Sequence, residues 1–358
     1  MKAIRFIAAA LLCANVVYAD ANEFAKAKEQ GSKALIKYGQ KLEKAKKYND
    51  AICAYQAIVS SDKNVANVQE ALIKSAKAKV KLNDFGGAIN DYEKVLKLKD
   101  DNQKKTLSHY VTAIQELSTI YSNRLNDFPG AIALVEKAEK TPNLHANEKN
   151  RLKARRGALL AGQVNAFVRA RKFEAARKQA AANLKSTPGA ASAGSCINVE
   201  IAYSKTLTSK KKYAEADKVL RAAKQFKGAK PGSYYAIQEA IMMNMLSKRD
   251  QAAAKKELEI LKQMPGSKNG KILAEVRYLT SFNMNKEAVD LLVKSAEDTS
   301  FSKNVRAGFY GSAAFFAVSR LHNIKLCESY YAKAKELMGP KYKNTQVENS
   351  LNYWRRKL

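Results

Sequence analysis

The sequence predicts an all-α protein built as a solenoid of stacked helical hairpins, and three observations predict it. A segment of the form aromatic, two residues, Ala, branched apolar, with a further apolar or aromatic residue three positions on, recurs along the chain at intervals of about 40 residues. All six prolines fall where that pattern places a helix boundary, as expected for a residue that costs about 3 kcal/mol inside a helix. Alternating apolar and polar runs bounded by turn residues, the mark of strands, are absent.

The chain opens with a segment that reads as an export signal over residues 1–19. Lys2 and Arg5 form a positive start, Ile7 to Val17 is apolar, and Val17-Tyr18-Ala19 supplies small residues at a cleavage site after Ala19. The apolar stretch is shorter than the roughly 20 residues a membrane span needs. Farther on, Gly308 to Val318 is the most apolar stretch; it is also too short and reads as a core helix. Export places the mature protein in the periplasm or outside the cell.

The repeats follow over residues 20–185 and 196–342. Tyr48 with Ala51, Ile52 and Tyr55 is followed by Phe85 with Ala88, Ile89 and Tyr92, and then by Phe128 with Ala131, Ile132 and Val135. Phe173 with Ala176 and Ala180, and Tyr213 with Ala216 and Leu220, repeat the theme. Three more segments keep only the small and apolar positions: Ala254, Leu258 and Leu261; Ala288, Leu292 and Ser295; Cys327, Tyr331 and Ala334. The small residue is where two helices approach most closely, and positions four and seven later share its face. Eight hairpins are therefore expected. Pro129 starts a second helix, Pro142, Pro188, Pro265 and Pro340 follow second helices, and Pro231 precedes a first helix.

In the first unit, Leu35, Tyr38, Gly39 and Leu42 stand ahead of Tyr48, Ala51, Tyr55 and Ile58. This order of apolar, apolar, Gly, apolar and then aromatic, Ala, aromatic, apolar resembles the tetratricopeptide repeat (TPR) family. The second unit carries the similar turn Lys81-Leu82-Asn83-Asp84-Phe85, although Ala76 replaces the glycine and Lys79 stands at a usually apolar position. Later units depart further and several exceed the family's length of roughly 34 residues. The resemblance implies a right-handed solenoid whose first helices line a concave, protein-binding groove. Placed from Gly39, the residues it sends into that groove are Gln40, Lys77, Asn165, Lys205 and Arg277. Three of the five are basic, which suits an acidic or carboxylate-bearing partner. The family's carboxylate clamp needs Lys four residues before Asn, whereas Ile36 precedes Gln40 and Ala161 precedes Asn165.

Residues 186–195, Ser-Thr-Pro-Gly-Ala-Ala-Ser-Ala-Gly-Ser, read as a connector and the candidate hinge between the halves. Residues 343–358 read as a capping helix, with Leu351 and Trp354 inward and Arg355, Arg356 and Lys357 outward.

Charge narrows the partners. There are 64 Lys and Arg against 33 Asp and Glu, a net charge of +31, and such a field attracts anions of any kind. With export, acidic proteins and anionic envelope polysaccharide or lipid rank above nucleic acid. A second basic surface is expected at Arg151, Arg155, Arg156, Arg169 and Arg171, with Arg151 and Arg155 on one helix face. Glu257, beside Lys262, reads as solvated helix surface.

No catalytic, cofactor or metal site is expected. His109, His145 and His322 are far apart and none has a partner at a triad or ligand spacing. Gly266-Ser-Lys-Asn-Gly270-Lys271 lacks both the spacing and the hydroxyl of a phosphate loop, and reads as an ordinary loop. Cys53, Cys196 and Cys327 read as buried small hydrophobes; a pair among them stays open in an oxidising compartment.

Overall fold

Every aromatic residue that heads a repeat in the sequence is the first residue of a helix. The computed structural model describes residues 21–98 and 104–357; the export segment expected at 1–19 lies outside the described residues. Among the described residues the chain forms eighteen helices and no strand. A leading helix, α1 (Ala21–Glu29), precedes eight hairpins. The first four are α2 (Ser32–Lys44) with α3 (Tyr48–Ser61), α4 (Val65–Lys81) with α5 (Phe85–Lys97), α6 (Lys104–Asn123) with α7 (Phe128–Glu139), and α8 (Ala146–Arg169) with α9 (Phe173–Ser186). The next four are α10 (Ala190–Ser209) with α11 (Tyr213–Ala223), α12 (Pro231–Lys248) with α13 (Gln251–Gln263), α14 (Lys268–Ser281) with α15 (Asn285–Glu297), and α16 (Lys303–Ser319) with α17 (Ile324–Met338). A final helix, α18 (Thr345–Arg355), follows.

One backbone turn is repeated in all eight hairpins. The residue two places ahead of each second helix is left-handed: Lys46, Asn83, Asn126, Arg171, Lys211, Arg249, Asn283 and His322, with φ between 53° and 63°. In six turns the next N–H bonds back five residues, as Asp84 does to the Lys79 carbonyl and Lys212 to the Leu207 carbonyl. This closes the first helix in the manner of a Schellman motif and starts the second at once. The side chains differ where the backbone does not. Asp84, Asp127, Asp250 and Asn323 accept from the N–H of the third residue of their helix, whereas Lys47, Lys172, Lys212 and Met284 provide no such cap.

Packing follows the small residue. Ala51, Ala88, Ala131, Ala176, Ala216, Ala254, Ala288 and Cys327 are completely buried, and the residues four positions later, from Tyr55 to Tyr331, are buried beside them. Gly39 owes its lack of a side chain to this contact, since a Cβ there would overlap the ring of Tyr55. Tyr55 in turn donates its hydroxyl to Glu43 at 2.8 Å. Lys79, out of pattern in the sequence, is neutralised by Asp91 at 2.6 Å, and Ser75 donates to the same carboxylate oxygen.

The helices form two compact units divided between Gln163 and Val164, inside α8. Each core is a series of local clusters shared by adjoining hairpins. In unit 1, Leu72, Ala76, Tyr92, Val95 and Leu117 join α4, α5 and α6. In unit 2, Ile197, Leu220, Ile237 and Ile241 join α10, α11 and α12, and Met242, Leu258, Leu261 and Tyr278 join α12, α13 and α14. Nearest-neighbour burial of this kind defines a solenoid. The fold is an all-α helical-hairpin solenoid.

The structure revises several expectations. Of the connector expected at 186–195, only Thr187-Pro188-Gly189 is non-helical, because Ala190 and its small neighbours begin α10 directly behind Gly189. Ser267 caps α14 through the Gly270 N–H, so Gly270 and Lys271 form a helical first turn in place of a loop. Glu257, read as surface, is only 5% exposed and accepts from Arg221 at 2.7 Å and Gln238 at 2.6 Å. Burial pushes its pKa up, but these two hydrogen bonds and the nearby cations outweigh that and hold it below its ordinary value. Helix α1 had no counterpart in the repeat pattern; Phe24 packs at 6.1 Å from Tyr38 to cover the first hairpin. The capping helix forms as α18, shorter than 343–358, with Leu351 buried and Trp354 against His322.

Candidate functional site

The residues expected in a groove share one position, eight residues ahead of the second helix of their hairpin. Gln40 is half-buried, while Lys77, Asn165, Lys205 and Arg277 are exposed. The structure brings Lys205 and Arg277 into one groove in unit 2, of about 770 Å³, walled by α10, α12 and α14. Asn165 is also in unit 2 but does not line it; Gln40 and Lys77 belong to unit 1. Lys77 is tied to Glu116 of α6 at 3.0 Å.

The groove has a definite chemistry. Its α10 wall presents Ile201, Ser204, Lys205 and Thr208, and its α12 wall presents Glu239, Met243, Asn244 and Ser247. Thr208 donates to the Asn244 side-chain oxygen at 2.8 Å, and Asn244 donates to the Tyr213 carbonyl at 2.9 Å, which fixes both walls. Arg277 is paired with Glu239 across the gap between α14 and α12. Lys205 has no carboxylate partner among the described residues. Tyr235, on α12 near that ion pair, has its pKa raised by burial and by Glu239, with Arg277 opposing.

Met243 was missed in the sequence. It occupies the same position in α12 as Lys205 does in α10, yet is 39% exposed. Counting back eight residues from Gln251 would have found it, but the sixth repeat has no leading aromatic to count from.

The second basic surface resolves into separate parts. Arg151 donates to Thr112 at 3.1 Å and Gln115 at 2.6 Å, and Arg155 donates to Ser118 at 2.8 Å. Both are half-buried struts between α8 and α6, and burial lowers the Arg155 pKa. Arg156 on the same helix turns to Glu139 at 3.2 Å. Arg169 and Arg171 are exposed; Arg171 is the left-handed residue of its turn.

The three histidines stay apart: His109 in α6, His145 before α8, His322 in the last hairpin turn. Among the described residues no three His, Cys, Asp or Glu side chains are gathered as a metal site, and no helix is long and apolar enough to cross a membrane. Cys53, Cys196 and Cys327 are buried, and burial pushes the Cys327 thiol up to about 11.

The chain is an array of helical hairpins. No family model matches it, and no curated protein matches it. Among solved structures it is similar to a tetratricopeptide repeat protein from Parabacteroides merdae, at 12% identity and a TM-score of 0.34, over 78% of this chain and 97% of that one. It is also similar to the TPR domain of P58(IPK), at 14% identity and a TM-score of 0.28, over 91% of this chain and 97% of that one.

Proposed function

We propose that this protein is a non-catalytic scaffold of the cell envelope that holds an extended, acidic segment of a partner protein in the groove of unit 2. One observation carries the reading: Lys205 faces the groove uncompensated, because Glu239 is engaged by Arg277. An ammonium group with no carboxylate beside it invites one from a ligand. Met243 adds an apolar contact that can adapt to different side chains, and the exposed hydroxyl of Ser247 can meet a peptide backbone. Location in the envelope rests on Lys2, Arg5 and the apolar run Ile7 to Val17.

The net charge of +31 favours a second reading, in which the chain binds an anionic envelope polysaccharide or lipid surface by charge alone. A photoreactive residue at Met243, followed by mass spectrometry of cross-linked envelope proteins, separates the two. The scaffold reading expects acidic partners that Lys205→Glu weakens by about tenfold or more and that persist in part at about 0.3 M salt. Cross-links unchanged by Lys205→Glu, with binding abolished by that salt, would overturn it in favour of the polymer.

A further inference from the structure

Unit 1 contains a second, differently built cleft where α7 ends and α8 begins. It measures about 400 Å³ and is lined by Glu136, Glu139, Lys140, Lys149, Lys153 and Arg156. Its geometry follows from the helices. Lys149, Lys153 and Arg156 are spaced four and three apart, so they stand on one face of α8. Lys140 is the C-cap residue of α7, one place beyond Glu139. Arg156 is held against the α7 carboxylates, 3.2 Å from Glu139 and 3.8 Å from Glu136.

The wiring leaves a local excess of charge. Glu136 and Glu139 are occupied by Arg156, while Lys140, Lys149 and Lys153 are exposed and have no carboxylate partner among the described residues. With four cations and two carboxylates, the cleft carries two uncompensated positive charges. A lone carboxylate would neutralise one of them. A phosphate monoester, with a charge of about −1.5 to −2 at neutral pH and three acceptor oxygens, would neutralise both. Its oxygens could be shared among ammonium groups from two helices. The Arg156 ion pairs link the two helix walls of the cleft.

We propose that this cleft is an anion site for a phosphate-monoester group, distinct from the groove in unit 2 and independent of what that groove holds. The group could come from a soluble phosphorylated compound or from a lipid headgroup, since both present the same oxygens.

Isothermal titration of the full chain with inorganic phosphate, and flotation with phosphatidylcholine vesicles with and without phosphatidic acid, test it. Both are run on the native protein, on the double variant Lys149→Gln, Lys153→Gln, and on a control that removes two exposed lysines elsewhere, Lys26→Gln, Lys28→Gln. The expected result is saturable phosphate binding that weakens about tenfold in the cleft variant and less than about twofold in the control. Flotation with phosphatidic acid that phosphate competes away assigns the lipid source; phosphate binding without flotation assigns the soluble one. Circular dichroism checks that the variants fold. Absence of saturable phosphate binding, or an equal loss in both variants, overturns the proposal, the second outcome assigning the anion to diffuse surface charge.

Discussion

Lys77 in unit 1 and Arg277 in unit 2 hold the same place in their hairpins, eight residues ahead of the second helix, and both are tied to glutamates at a matching place in a neighbouring first helix. The direction differs. Lys77 of α4 reaches forward to Glu116 of α6, whereas Arg277 of α14 reaches back to Glu239 of α12. Glu239 is therefore spent on the later helix, and Lys205 of α10, which corresponds to Lys77, is left facing the groove. Two regions built on one backbone scheme thus differ in their polar wiring. One carboxylate's choice of partner decides whether a cation is internal structure or available surface.

The largest expected effect tests the shared part of the comparison. Ala88→Leu in unit 1 and Ala254→Leu in unit 2 each place a bulky side chain where the helices meet with no exposed surface. Each should cost about 3 kcal/mol in denaturant unfolding, at the upper end for overpacked cores. Tolerance of either one would break the equivalence of the two packing sites.

A smaller effect sharpens the difference in wiring. The turns before α5 and α9 share their left-handed residue, but Asp84 caps its helix and Lys172 does not. Asp84→Ala should lose about 1 kcal/mol, and Lys172→Asp should gain about 0.5–1 kcal/mol, by thermal unfolding. A loss on Lys172→Asp would mean that the bare turn is held by something other than its backbone.

The smallest effect is confined to unit 1. His109 on α6 has its pKa lowered by burial first, with Glu70 raising it and Lys105 and Lys74 lowering it, and its Nδ1 is buried without a hydrogen bond. A base whose folded pKa lies below its unfolded value contributes full stability above the unfolded value. It loses that contribution as pH falls below about 6.5 toward the folded pKa. Amide exchange in α6 should therefore speed up on acidification through this range, and His109→Gln should flatten the dependence. An unchanged profile in that variant would assign the acid sensitivity to the carboxylates.

Much of this architecture was legible in the chain because one position governs it. The aromatic heads Tyr48, Phe85, Phe128, Phe173 and Tyr213 mark helix starts to the residue, and the alanines three positions later mark the closest approach of helices. Prolines mark the ends for a backbone reason that needs no partner. The groove was legible in part: Lys205 and Arg277 were placed together by counting, whereas Met243 was hidden in a repeat without its aromatic. The misreadings concern polar groups. Glu257 reads as surface until Arg221 and Gln238 arrive from neighbouring helices, and Arg151 and Arg155 read as a binding face until Thr112, Gln115 and Ser118 meet them.

By itself, the sequence determined the all-α hairpin array, the number of hairpins, the starts of the aromatic-headed second helices and the spine of small residues, since these depend on local backbone preference and on periodicity within single helices. Only the tertiary structure decided which charges are spent inside the molecule and which face outward. An ion pair or hydrogen bond between side chains of different helices joins residues 12 to 39 positions apart here, and its energy depends on distance and burial, which are properties of the packed array.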